Sequence, residues 1–126
     1  MNKKPLVFVV EDNNAYGMLI RRILQNHGFM VMLFEHGRKA ADMLRYVRPA
    51  LIISDIEMPF MDGFEFNEYV KKNFSEYSIP FIYISSTSSE RMKNKATELG
   101  ATNMLDKPVS VEKLRNAVNY VLETKK

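Results

Sequence analysis

Cysteine is absent from the 126 residues of this chain. Disulfides, thiol chemistry and thiolate metal sites are excluded with it. A chain of this kind suits a reducing cytoplasm, which is its expected compartment. No apolar run approaches the roughly 20 residues a membrane-spanning helix needs, so no membrane association is expected. The opening stretch Met1-Asn-Lys-Lys-Pro5 lacks the apolar segment and small-residue cleavage site of a secretory signal. Neither G-x-G-x-x-G nor G-x-x-x-x-G-K-[ST] occurs, which removes the usual glycine-rich cradles of nucleotide sites. Histidine is scarce. His27 falls near a predicted helix end and His36 in a predicted loop, so both read as bland surface residues.

Charge of one sign is not in large excess either. The net charge is +3. Lys3, Lys4, Lys125 and Lys126 lie at the tails, and Lys71, Lys72, Lys93 and Lys95 fall on predicted helix surfaces. These are solvated faces. No basic stripe with a groove-reading element is present, so direct nucleic-acid binding is not expected. The length suits a single domain, with a core burying roughly two-thirds of the unfolded surface.

Apolar runs alternate with amphipathic stretches five times. Predicted strands are Leu6–Val10, Phe29–Phe34, Leu51–Ser54, Ile79–Ser85 and Asn103–Asp106. The predicted first helix runs from Asn14 to His27, with Ala15, Leu19, Ile20, Ile23 and Leu24 inward and Gly28 as its stop. The second covers Arg38–Val47 and ends at Arg48-Pro49. The third covers Phe64–Asn73 and is anchored by Phe66, Tyr69 and Val70. Thr87 and Glu90 have capping-box spacing for a fourth helix, with Met92, Ala96 and Leu99 inward and Gly100 closing it. The fifth starts near Ser110 and buries Leu114, Ala117, Val118, Val121 and Leu122. Met18, Met58 and Met61 read as core or gap-filling residues. This alternation predicts an α/β fold, a parallel sheet covered on both faces.

Chemistry-bearing residues stand at the strand ends. Glu11-Asp12 follows the first strand, Asp55 the third, Ser85 ends the fourth, and Lys107-Pro108 follows the fifth. Open α/β sheets present ligands at these carboxyl ends. Two like charges about 4 Å apart repel by roughly 4 kcal/mol at an effective dielectric near 20. If the first and third strands are adjacent, Glu11, Asp12 and Asp55 are close neighbours and need protonation, a cation or Lys107. All-oxygen donors suit Mg2+, Mn2+ or Ca2+, and an open site with few protein ligands is Mg2+-like. A carboxylate beside a divalent cation and an ammonium suits phosphoryl transfer. Each residue alone has a plainer role: turn or cap for the acids and Ser85, exposed loop for Lys107.

Taken in order, Glu11-Asp12, Asp55, Ser85 and Lys107-Pro108 resemble the receiver domain of two-component response regulators, of the chemotaxis-regulator type. Asp55-x-x-Met58-Pro59-x-Met61-Asp62-Gly63 is also that family's wording. The resemblance covers essentially the whole chain as a single receiver domain, residues 1–126, with no output domain. It implies a flavodoxin-like, doubly wound, five-stranded parallel sheet in the order 2-1-3-4-5, flanked by five helices. It implies that Asp55 accepts a phosphoryl group from a sensor histidine kinase or a histidine phosphotransfer protein. Mg2+, with Mn2+ as the alternative, would be held by Asp12 and Asp55, by Glu11 through water, and by the Glu57 backbone carbonyl. Lys107 would pair with one phosphoryl oxygen and the Ser85 hydroxyl would donate to another. A cis Lys107–Pro108 peptide is also implied.

The chain departs from the family where Met104 replaces a common aromatic switch residue. Glu57 and Thr87, two positions beyond Asp55 and Ser85, would tune phosphoryl lifetime. The resemblance implies docking of a downstream protein on the face of the fourth helix, fifth strand and fifth helix, through Met92–Leu99, Met104 and Ser110–Tyr120, or onward phosphate relay. Two competing readings are a docking module that is never phosphorylated and a small phosphohydrolase with an Asp nucleophile. The complete acidic set with Ser85 and Lys107 opposes the first. Glu57 in place of a second Asp, and no cap insertion, oppose the second.

Overall fold

Successive side chains of a strand point to opposite faces, so a strand that is apolar throughout must be covered on both sides. A computed structural model describes residues 4–86, 90–99 and 103–124 of the chain. In it the strands β1 (Leu6–Val10), β2 (Met30–Phe34), β3 (Leu51–Asp55), β4 (Phe81–Ser85) and β5 (Asn103–Asp106) form one sheet. All neighbours are parallel, and the order is β2-β1-β3-β4-β5. The helices are α1 (Asn14–Asn26), α2 (Gly37–Met43), α3 (Gly63–Asn73), α4 (Glu90–Glu98) and α5 (Val111–Thr124).

The strand alternation sorts the core into two layers. Phe8, Ile52 and Tyr83 face Leu44, Phe66 and Ala96 on the side of α2, α3 and α4. Val9, Ile53 and Ile84 face Ile20 and Leu24 of α1 and Leu114 of α5 on the other. Burial of each such side chain is worth about 1.5–3 kcal/mol. Three caps set helix starts. Asn13 accepts the Tyr16 N–H at 3.0 Å. Asp62 and Glu65 form a reciprocal capping box. The Ser110 hydroxyl accepts the Lys113 N–H at 3.1 Å.

The structure corrects some local expectations. Ala15 is exposed, and Leu19 and Met18 are 49% and 46% exposed, so none of the three is core. The inward line of α1 is Gly17, Ile20, Ile23 and Leu24. A side-chain carbon on Gly17 would lie 2.8 Å from Leu33 Cδ1. Glycine lets the Gly17 side approach the sheet, and Leu19, about 100° round the helix from Ile20, then faces out. The second helix starts at Gly37 and ends at Met43, short of Val47. Past Met43 the chain mixes i→i+3 bonds, Arg45 N–H to Asp42 O and Tyr46 N–H to Met43 O, with one i→i+4 bond from Val47 N–H to Met43 O, before Ala50 N–H pairs with Leu6 O. Gly28, at φ +90, closes α1 as expected. The capping spacing at Thr87, the stop at Gly100 and the tail lysines Lys3, Lys125 and Lys126 lie outside the described residues.

One polar pair is sealed in the α3 layer. Asn67 Nδ2 donates to Tyr83 Oη at 2.7 Å, and both residues are fully buried. Burial pushes the Tyr83 phenol up from its ordinary pKa. Replacing Tyr83 with Phe leaves a buried amide without its acceptor. Urea unfolding of Tyr83→Phe should show a loss of about 1–3 kcal/mol, partly recovered by adding Asn67→Leu. A loss no larger than that of a surface substitution would refute the account.

Candidate functional site: a carboxylate cluster at the sheet's carboxyl edge

The ladders continue one residue past the strands and so fix where the site residues stand. Glu11 N–H donates to Phe34 O, Ile56 N–H to Ile84 O, and Lys107 N–H to Ser85 O, at 2.9, 3.1 and 2.8 Å. Val10 is in register with Ser54 of β3, which brings Glu11 and Asp12 beside Asp55. Oxygens of Glu11, Asp12 and Asp55 lie within 4.8 Å of one another. Glu11 and Asp55 are buried, and Asp12 is exposed. Lys107 Nζ reaches Glu11 Oε1 at 2.5 Å and Asp55 Oδ2 at 3.3 Å. The Lys107–Pro108 peptide is cis.

Burial dominates the electrostatics. Desolvation, opposed by Lys107 and the Asn13 N–H, raises the Glu11 pKa from 4.5 to about 7. Desolvation also raises Asp55, against the pull of Lys107. Burial works against the charged form of Lys107, but Glu11 and then Asp55 outweigh it and hold its pKa above the ordinary value. With all groups ionised, one ammonium faces three carboxylates. Glu11 Oε1 meets Lys107 as an ion pair and accepts no hydrogen bond of regular geometry. A donor set of hard oxygens with surplus negative charge fits a divalent cation such as Mg2+.

The loop after β3 is shaped around Asp55. A side-chain carbon on Gly63 would stand 2.4 Å from the Asp55 carbonyl oxygen, so only glycine fits that approach. Gly63 N–H closes the loop on Ile56 O at 2.8 Å. At the tip, Met61 N–H bonds Pro59 O across a γ-turn centred on Phe60, which has φ +70 and is 99% exposed. A bulky residue in that region costs about 1–3 kcal/mol, and such strain clusters at functional loops.

Three contacts were not legible beforehand. Ser85 Oγ donates to Glu57 Oε1 at 3.2 Å, so these two predicted residues are partners. Tyr16 of α1 places its ring 4.8 Å from Lys107 Nζ, and its hydroxyl accepts the Val109 N–H at 2.9 Å. No local pattern in the sequence marks Tyr16. Met104 is half-buried, in register with Tyr83. Thr87 lies outside the described residues.

Comparison with known proteins agrees with this architecture. Residues 7–119 match the response regulator receiver domain. The chain is 30% identical over 123 residues to "Histidine kinase P4" of Formosa agariphila, covering 98% of this chain and 9% of that protein. It is 28% identical to "Protein PilH" of Pseudomonas aeruginosa, covering 92% and 96% of the two chains. The chain thus spans only a small part of the kinase relative and nearly all of PilH. The solved structure of Vibrio cholerae chemotaxis protein CheY4 superposes with a TM-score of 0.90 at 31% identity, over 95% of this chain and 100% of that one. The fold is flavodoxin-like with the chemotaxis-regulator strand order. The chain belongs to the response regulator receiver domain family, the signalling domains of two-component systems. Among the described residues no helix is long and apolar enough to cross a membrane.

The raised Glu11 value sets a pH dependence. In the cation-free chain the folded form keeps the Glu11 proton that the unfolded form releases. That stability is complete below pH 4.5 and is lost as pH rises through about 7. A divalent cation favours the ionised carboxylates, so the gain in melting temperature on adding Mg2+ should grow across the same window. Glu11→Gln should flatten the growth. Thermal melts with Mg2+ and with chelator measure it, and an equal gain at both ends of the window would contradict it.

Proposed function

We propose that this chain is a phosphorylation-controlled switch in which Asp55 accepts a phosphoryl group from a sensor histidine kinase or a histidine phosphotransfer protein. The observation that carries the proposal is Lys107 Nζ, held between Glu11 and Asp55 beside a three-carboxylate cluster. An Asp55 oxygen attacks phosphorus, the O–P bond forms, and the N–P bond of the donor breaks with its electron pair returning to the imidazole nitrogen. Lys107 meets the charge that arrives on a phosphoryl oxygen. The Ser85 hydroxyl leaves Glu57 and donates to a second oxygen. Asp12, Asp55, Glu11 through water and the Glu57 backbone carbonyl would hold Mg2+ or Mn2+. When bound, that cation neutralises charge on the transferring oxygens and the attacking carboxylate.

The phosphorylated form then docks a downstream protein or relays its phosphoryl group. The proposed surface is the α4–β5–α5 face, where Val111 and Tyr120 are exposed and Met92, Leu99 and Met104 are half-buried. The kinase names among the relatives support a histidine-kinase donor.

Incubation with Mg2+ and a small acyl phosphate should add one phosphoryl group by intact mass. Asp55→Asn or a chelator should abolish the adduct. If neither the acyl phosphate nor beryllofluoride engages the wild type, the phosphoacceptor role fails. Glu57→Ala removes the resting acceptor of Ser85 and a negative charge from the donor's path. Its uptake should be roughly three- to tenfold faster, and unchanged kinetics would remove Glu57 from the account.

A further inference from the structure

Tyr16 touches the lysine loop twice, from a different element. Its ring faces Lys107 Nζ, 4.8 Å from the centroid. Its hydroxyl holds the backbone N–H of Val109, two residues further on, at 2.9 Å. Val109 is itself buried in the α1/α5 layer. The two contacts fix both the tip of the lysine side chain and the backbone that carries it.

Lysine is a compact charge on a flexible, rotamer-rich stem. Glu11 and Asp55 hold it from one side. A carboxylate at position 16 would compete for the ammonium, and an aliphatic side chain would offer it no attraction. An aromatic face attracts the ammonium within about 6 Å without adding a full charge. Lys107 can then turn to an incoming phosphoryl oxygen without breaking another ion pair. We propose that Tyr16 is a positioning residue for phosphoryl transfer, its ring and hydroxyl together holding Lys107 Nζ at the Asp55 carboxylate. Granted the phosphoacceptor role proposed for Asp55, Tyr16 sets how fast that acceptor reacts.

The test uses the full chain with Tyr16→Phe, Tyr16→Leu, Lys107→Ala, and Tyr16→Leu combined with Lys107→Ala. Two quantities are read. One is the NMR shift of the Lys107 ε-methylene protons in cation-free protein. The other is covalent uptake from a small acyl phosphate with Mg2+, followed by intact mass over a range of donor concentrations. The Lys107 protons should show an upfield ring-current shift in the wild type and in Tyr16→Phe, and lose it in Tyr16→Leu. Tyr16→Leu should lower the maximal uptake rate about tenfold with little change in apparent donor affinity, and Tyr16→Phe about threefold. In the Lys107→Ala background, Tyr16→Leu should have no further effect.

Wild-type uptake by Tyr16→Leu, or the same loss without Lys107, overturns the positioning role. A wild type that takes up no phosphoryl group defeats the phosphoacceptor proposal instead. The NMR shift then decides Tyr16 by itself: its presence supports the contact, and its absence overturns it. Should Tyr16→Leu fail to fold, Tyr16→Phe decides, because a loss confined to the maximal rate supports the role and an unchanged rate refutes it.

Discussion

A single ammonium set among three carboxylates is the constraint around which this protein is arranged. Each pair of like charges within 4.8 Å costs about 3–4 kcal/mol at an effective dielectric near 20. Burial of Glu11 and Asp55 adds desolvation to that. Apolar residues of similar size would stabilise the sheet end more cheaply. Lys107 can balance the cluster only because β5 pairs with β4 and its ladder runs on to Lys107 itself. The sheet order is thus part of the electrostatics.

The Ser85 hydroxyl is not idle in the resting state. It donates to Glu57, so any competing anionic acceptor would exchange with a carboxylate already in place. Such an exchange lets small differences in acceptor strength move a population between two arrangements. The neighbouring packing suits this. Tyr83 is anchored by Asn67 and by an edge-on contact with Phe64 at 5.0 Å. Met104 lies beside it on β5 and is half-buried. Rigid aromatic bulk therefore sits in β4 and the pliable side chain in β5. Met104 is unbranched and flexible, so it can repack there.

Strands and acids were legible in the sequence because both follow from simple periodicity. Leu6–Val10 and Leu51–Ile53 are apolar without interruption, and polar groups begin where each run stops. The pairing of β1 with β3, which brings Glu11, Asp12 and Asp55 together, is long-range and was implied only by the resemblance to receiver domains. Less legible were features decided by one neighbour. The roll of α1 depends on Gly17 against Leu33, and two apolar stripes compete along that helix until the pairing is known. The end of α2 depends on the turn that leads Ala50 to Leu6. The Glu57–Ser85 bond and the Tyr16 contacts join distant segments through side-chain tips, which no local pattern encodes.

The ladder bond from Lys107 to Ser85 also bears on biosynthesis. The site is assembled from four stretches far apart in the chain, and its ammonium follows β5, which comes after the other four strands of this sheet in the sequence. Until β5 has docked, Glu11 and Asp55 stand without Lys107 as their counter-charge. Neutralisation of the buried acids thus waits on completion of the sheet.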